Sequence, residues 1–496
     1  MNETLARPAA LTIPRALLRA LQLGAVLLVL AFAFQGSRPL YDADEGRYTS
    51  VALHMLDSGD FIVPRLDADH PHYTKPPMTY WALAGSFALF GANEWAARVP
   101  SALAFVGTGL LVAWMARRMA FRNPWRAGWI WALTLGPLFA ANVVNTDTLL
   151  TFFETLAVAG FVAAETTPDG RAARFWRVLM WSGFGFAFLT KGPPSLIALP
   201  AMMATLWSLH GWRALGRLVS LPGMLLGAVI GLGWYVYVVT HQAGLLHYFL
   251  GYEVFDRVAT RAFDRNPGIT GFFIAYLPTV LFGTLPWSGL LLFRRLRGPR
   301  TPMVVEPRLA LARRLTACWC LIGFGIFAFS QSRLPLYLLP LFVPYALWVA
   351  MRFDDATELL TERRGIVLAT WAVALLGVKA LGAIFPTHHD GRAFAAKLWK
   401  ITGNAPVSEW IFVDSTPRFD LRLTTGRSAE IANVASTAPP FARREPLCAE
   451  ISGAKHPVVL ADKSQAARTE DALAKCAARF VYGGTAENYA VYVAQR

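Results

Sequence analysis

Residues 218–240 read LVSLPGMLLGAVIGLGWYVYVVT, without a single charged side chain. A helix needs about 20 mostly apolar residues to cross a bilayer, and lipid offers the backbone no hydrogen-bond partner, so such a stretch folds as a helix. Comparable stretches lie near 16–35, 98–116, 127–145, 148–164, 175–190, 194–210, 270–292, 315–331, 336–351 and 365–385. The expectation is a mainly α, polytopic membrane protein of about eleven transmembrane helices, or thirteen with one more short hairpin. Composition agrees: 55% of residues are hydrophobic and 16% charged, against about 25% charged in aqueous domains. An ordinary soluble enzyme is excluded.

The net charge of +15 is compatible with nucleic acid, anionic lipid or membrane orientation. Its distribution decides among them. Arg117, Arg118, Arg122 and Arg126 follow the second span, Arg171, Arg174 and Arg177 the fourth, Arg213 and Arg217 the sixth, a cluster from Arg294 to Arg314 the eighth, and Arg352, Arg363 and Arg364 the tenth. Basic residues mark cytoplasmic loops, so even-numbered spans exit inward and no nucleic-acid partner is implied. The N-terminus, with Arg7, Arg15 and Arg19, is then inside, and odd-numbered exits face outward. Ala31-Phe32-Ala33 also fits a signal-peptidase site, but the apolar run has the length of an anchor.

Two divisions follow. Residues 1–385 form a membrane domain with outer loops at 36–97 and 241–269, the first carrying two short helices, Asp44–Leu56 and Met78–Phe90, that lie in the interface; residues 386–496 have the composition of a small soluble α/β domain on the outer side. Strand-like runs there begin at Trp410, Pro457 and Arg479, with a helix near 464–478. Cys448 and Cys476 lie in this outer part, where an oxidising compartment favours a disulfide; Cys318 and Cys320 sit within a span and read as buried thiols.

The chemistry-bearing residues gather on the outer side. Asp42, Asp44 and Glu45 stand within four residues at the membrane surface, ahead of a helix predicted from Asp44 to Leu56. One of them suits a helix cap; three together suggest a catalytic acidic cluster. Lys75 and Lys191 are the only lysines before residue 379, and both precede a Pro pair. They read either as snorkelling side chains or as phosphate ligands held by rigid turns. Asp147 opens the fourth span, as a cap or as a further acid. Arg257, Arg261 and Arg265 recur at helical spacing and would form a basic stripe, with Glu253 placed to pair with Arg257. Arg333 and Tyr337 end the ninth span beside the same surface. Acids and cations over apolar walls suit a substrate with a lipid tail and a phosphate head.

Asp44-Glu45-Gly46-Arg47-Tyr48, the segment from Gly59 to Arg65, Tyr73-Thr74-Lys75-Pro76-Pro77, Phe90-Gly91 and Arg98 resemble the first outer loop of the lipid A 4-amino-4-deoxy-L-arabinose transferases. These are C-type membrane glycosyltransferases related to protein O-mannosyltransferases. Leu189-Thr190-Lys191-Gly192-Pro193, Leu285-Pro286-Trp287 and the segment from Ser332 to Pro340 are similar to later segments in the same order, so the resemblance runs over residues 36–350. It implies a polyprenyl-phosphate sugar donor, a glycolipid acceptor such as lipid A, transfer at the periplasmic face of the bacterial inner membrane, and inversion at the anomeric carbon. Asp44 becomes the favoured catalytic carboxylate, with Glu45 beside it and Asp147 as the second acid. Lys75 and Arg257, with Arg47, Tyr337, Lys191 and Arg333, would hold the donor phosphate. Asp42, Tyr73 and Arg261 would line the substrate. No cofactor is implied with certainty; a divalent metal, if used, would fall to Asp44 and Asp147. One position departs from the family: Phe-Glu-Lys-Pro is here Tyr73-Thr74-Lys75-Pro76, so the acidic residue before the lysine is missing. A different sugar or acceptor is the alternative. A lipid-linked sugar flippase fits less well, because transporters carry polar or broken spans at mid-membrane.

Overall fold

A computed structural model describes residues 14–41, 44–67, 71–168, 170–256, 260, 265–295, 306–354, 362–385, 390–403, 405–415, 417–434 and 445–495. The described residues up to His241 form α1 (Arg15–Phe32), α2 (Asp44–Ser58), α3 (Met78–Phe90), α4 (Glu94–Arg118), α5 (Trp125–Leu133), α6 (Leu135–Ala141), α7 (Asp147–Thr166), α8 (Arg171–Lys191), α9 (Ala198–His210) and α10 (Leu221–His241). A π-helical segment, Tyr248–Asp256, follows. Then come α11 (Gly268–Gly283), α12 (Trp287–Arg295), α13 (Pro307–Phe329), α14 (Phe342–Asp354) and α15 (Glu362–Ile384). Among the described residues seven helical stretches are long and apolar enough to span a bilayer. The protein is a multi-pass membrane protein.

Of the other predicted spans, 175–190 lies within the unbroken α8, and three are shorter or broken. The span expected at 127–145 splits at Thr134, whose ψ of 127° is extended; there the Leu135 N–H turns outward to Leu285 O at 3.1 Å, and Pro137 has no N–H to give. The span at 194–210 begins as a 3-10 turn, Pro193–Leu196, and that at 270–292 divides into α11 and α12; the span at 336–351 also opens with a 3-10 turn, Pro335–Leu341, yet is one of the seven.

α7 and α8 pack as an antiparallel pair whose contact depends on two glycines. A Cβ on Gly160 would meet the Met180 N and Trp176 O at 2.8 Å, and one on Gly183 the Ala157 N at 2.7 Å. Small residues let backbones approach this closely in membranes, where van der Waals contact rather than water exclusion drives association. Asp147 and Lys191 are thereby placed at the same end of the pair. The outermost helices are also tied: Lys379 Nζ on α15 donates to Leu30 O at 2.7 Å and Ala31 O at 2.9 Å, the final carbonyls of α1.

Beyond α16 (Gly391–Thr402) the chain forms β1 (Glu409–Val413), β2 (Ser428–Asn433), β3 (Glu445–Pro446), β4 (Pro457–Asp462), β5 (Phe480–Ala486) and β6 (Tyr489–Ala494), in sheet order β3-β2-β1-β4-β6-β5. β1 is parallel to β2 and β4, while β6 is antiparallel to β4 and β5. Alternation along β1 fills both faces: Trp410 and Phe412 meet Phe394 and Leu398 on one side, Ile411 and Val413 meet Leu447 and Ile451 on the other. Cys448 and Cys476 are disulfide-bonded. The sheet region docks on α2, where Ser50 Oγ donates to Phe419 O at 2.9 Å and Arg422 pairs with Asp57 at 2.7 Å.

Candidate active site

The first turn of α2 separates its two acids. Glu45 points inward and is 1% exposed, whereas the Asp44 side chain is 58% exposed. Glu45 accepts from Arg38 Nη1 at 2.8 Å, Arg98 Nε at 3.1 Å, the Tyr41 N–H at 2.7 Å and the Val144 N–H at 2.8 Å. Burial alone would raise its pKa, but the Arg98 and Arg38 guanidiniums outweigh burial and hold the carboxyl at about 2. Asp44 has only a loose partner, Arg47 Nη1 at 3.6 Å. One turn on from Asp44, Tyr48 lies 8% exposed. Burial raises its hydroxyl pKa, and Asp44, Tyr80 and Asp147 add to the rise. Tyr48 thus stands between the α2 acid and the α7 acid.

Asp147 opens α7 and is 6% exposed. Its Oδ1 accepts from Lys191 Nζ, at the last residue of α8. The same ammonium sits 4.2 Å above the centroid of the Tyr337 ring, a cation–π contact. Tyr337 in turn is hydrogen-bonded to Arg265, whose guanidinium also faces Asp44 and Tyr48. Carboxylates from α2 and α7 and cations from α8 and the loop before α11 therefore share one place.

The turn at 72–77 brings a second cation. Lys75 Nζ donates to Thr74 O at 2.7 Å. Thr74 Oγ1 and His72 Nε2 are hydrogen-bonded at 2.7 Å. Burial, with Arg47 and Lys75 nearby, depresses the His72 pKa to about 3, so the ring is neutral at ordinary pH. Tyr80, fully buried, faces Arg47, Thr74, Glu253 and Asp44; burial is the main cause of its raised pKa. The turn is anchored by Tyr73, whose hydroxyl donates to Gln242 Oε1 at 2.7 Å and whose ring packs on Trp234 and Phe249.

Sequence and structure part at several candidates. Glu45 has its lone pairs engaged by guanidinium and backbone donors, so it scaffolds α1, α2 and α4 and is not poised to take a proton. Arg333, 4% exposed, donates to Asn266 O, Gly268 O and Ala328 O; with its own N–H on Arg265 O at 2.8 Å, it positions the segment carrying Arg265 and does not offer its charge to a phosphate. Tyr73 is a wall and an anchor. Asp42, Arg257 and Arg261 lie outside the described residues. Tyr48, His72 and Arg265 were missed as site residues; Tyr48 at i+4 from Asp44 and Arg265 as the third member of the basic stripe were the available signals. Among the described residues no group of three or more metal-ligating side chains comes together.

Comparison with known proteins bears on the fold and the family. The family dolichyl-phosphate-mannose-protein mannosyltransferase matches residues 16–249. An undecaprenyl phosphate-alpha-4-amino-4-deoxy-L-arabinose arabinosyl transferase of Edwardsiella ictaluri is 29% identical over 389 residues, covering 73% of this chain and 68% of the relative. Its counterpart from Pseudomonas fluorescens is 30% identical over 363 residues, 70% of this chain and 58% of the relative, so the chain matches only part of these proteins' length. The crystal structure of ArnT from Cupriavidus metallidurans bound to undecaprenyl phosphate superposes with a TM-score of 0.72 at 20% identity, covering 95% of this chain and 97% of that one, and shows the shared fold. The chain belongs to the family of the aminoarabinose arabinosyl transferases, which is related to the protein mannosyltransferases.

Proposed function

We propose that the protein is an inverting glycosyltransferase that moves a sugar from an undecaprenyl-phosphate donor to an envelope glycolipid at the periplasmic face of the bacterial inner membrane. Aminoarabinose transfer to lipid A is its sharpest form. The observation that carries this reading is the meeting of Asp44, Asp147, Lys191, Tyr337 and Arg265 at one end of the bundle, with Lys75 and Arg47 beside them. Arg117, Arg118 and Arg122 at the end of α4 and Arg171, Arg174 and Arg177 at the start of α8 lie at the far end of the α7–α8 pair from Asp147 and Lys191, which supports a periplasmic site. The relatives' names supply the undecaprenyl phosphate and the aminoarabinose.

The chemistry divides between the two charge types. Asp44, exposed and loosely paired, accepts the proton of an acceptor hydroxyl, as a general base must. The hydroxyl oxygen attacks the anomeric carbon from the face opposite the phosphate; the C–O bond to phosphate breaks and its electron pair leaves on the phosphate oxygen, which inverts the centre. Lys75 and Arg265, with Lys191 and Tyr337 next to them, meet the charge developing on that leaving group. Asp147, already paired with Lys191, orients the ammonium and does not serve as the base. Transfer assayed in membranes supplied with donor tests this reading: Asp44→Asn should abolish product, and full activity in that variant would overturn it.

A second reading keeps the mechanism and changes the sugar. Thr74, hydrogen-bonded to a neutral His72, occupies the position where the family has Glu, so the turn presents no carboxylate to an amino sugar. Mass spectrometry of envelope glycolipids from cells with and without the gene separates the two, since the added mass reports sugar and acceptor together.

A further inference from the structure

Helix α7 presents two carboxylates to the turn between α8 and α9. The first is Asp147 on Lys191. The second is Glu154, seven residues on, two helical turns deeper and on the same side of α7. Glu154 is 0% exposed, and neither of its carboxyl oxygens has a hydrogen-bond partner among the described residues. Its carboxyl faces the Ala198 backbone N–H, which opens α9, and the indole N–H of Trp319 on α13. Trp319 Nε1 lacks a partner too, and so does Ser195 Oγ in the turn itself; both residues are 0% exposed. The three side chains are complementary in what they lack: a carboxyl, an N–H donor and a hydroxyl. A carboxyl enclosed among transmembrane helices is expensive and marks function more often than accident.

The turn itself makes the link to Lys191 short and stiff. Gly192, at φ +72°, ends α8 with its N–H on Phe188 O at 2.7 Å, and the Ser195 N–H returns to Gly192 O at 3.0 Å. Pro193 and Pro194 fix the backbone between them. Whatever holds Ser195 and Ala198 also fixes the direction of the Lys191 end.

We propose that Glu154 is a positioning residue for Lys191: its carboxyl, joined to Ser195, Trp319 and the Ala198 N–H directly or through an internal water, holds the deep end of the turn as Asp147 holds the outer end. This rests on Lys191 serving the donor phosphate, as proposed above. A polar, roomy site with two to four partners is what an internal water requires.

The test uses the purified full chain and two probes, undecaprenyl phosphate and undecaprenol, whose affinities are read by tryptophan fluorescence. Glu154→Leu should weaken undecaprenyl phosphate binding about tenfold while leaving undecaprenol unchanged, a loss of phosphate preference that general loosening would not produce. Glu154→Gln, which keeps the hydrogen-bonding shape without a charge, should restore the preference to within about threefold. A wild-type preference in Glu154→Leu, or equal impairment in the Leu and Gln variants, overturns the proposal. Should Glu154→Leu fail to fold, Ser195→Ala and Trp319→Phe trim the same network and should each weaken phosphate binding about threefold; an unchanged preference in both overturns it equally. Lys191→Ala separates the two readings: if it leaves phosphate affinity intact, the donor-phosphate role fails, whereas an effect at Lys191 with none at Glu154 sinks only the positioning role.

Discussion

Asp44 and Glu45 are neighbours in sequence and opposite in circumstance. Removing Glu45 leaves Arg98, fully buried, without its counter-charge; breaking a buried pair from one side costs about 3–5 kcal/mol, so Glu45→Ala should lower the thermal midpoint sharply. Asp44→Asn should keep that midpoint and lose at least about 100-fold in kcat. The same residues set an acid limit. Glu45 has a folded-state pKa of about 2 against an ordinary 4.5, so its contribution is complete above pH 4.5 and drains as pH falls toward 2. His72, at about 3 against 6.5, is folded as the neutral ring, so stability also drops as pH falls below 6.5. Thermal melts should decline steadily from pH 6.5 toward 3, and His72→Gln should flatten the upper part of that decline. Sequence could not sort the three acids, because what distinguishes Glu45 is Arg98, fifty-three positions away in the chain. It did expose Lys75 and Lys191 as unusual, yet Lys379, equally unusual, caps a helix.

At the level of helices, the spans were legible wherever an apolar run stayed unbroken, as in α1, α4, α7 and α10. They were misread where the backbone changes form inside such a run, since hydropathy records composition and not hydrogen bonding; the break at Thr134 depends on Leu285, which no local pattern reveals. The α2 and α3 boundaries were legible because both are short of a membrane thickness. The α7–α8 contact makes its own prediction. Gly183→Val places branched carbon where the Ala157 backbone already stands at 2.7 Å from a mere Cβ. Overpacking of this kind costs about 1–3 kcal/mol, and because α7 and α8 bear Asp147 and Lys191, transfer activity should fall together with the thermal midpoint. The matching Gly183→Ala should show the same two losses, smaller and in the same ratio.

Across the whole molecule the bundle and the sheet region carry separate cores that meet at α2. Closing a 28-residue loop, the Cys448–Cys476 disulfide contributes roughly 3.6 kcal/mol by its limit on the unfolded chain. A Cys448→Ser, Cys476→Ser double variant should therefore unfold its sheet region earlier, seen as a second transition in calorimetry, while undecaprenyl phosphate binding persists at temperatures below it. The sheet region was recognisable from composition and three of its strands, but its docking on Ser50 and Asp57 was not, because those contacts join segments more than 360 residues apart. The Lys379 contact with α1 has a bearing on biosynthesis. Its partners lie 349 and 348 residues earlier in the chain, so α1 leaves the ribosome and enters the membrane long before the ammonium that seals its last carbonyls has been translated. A helix made early is thus finished late, and any pause or truncation before residue 379 leaves the nascent bundle open along that seam.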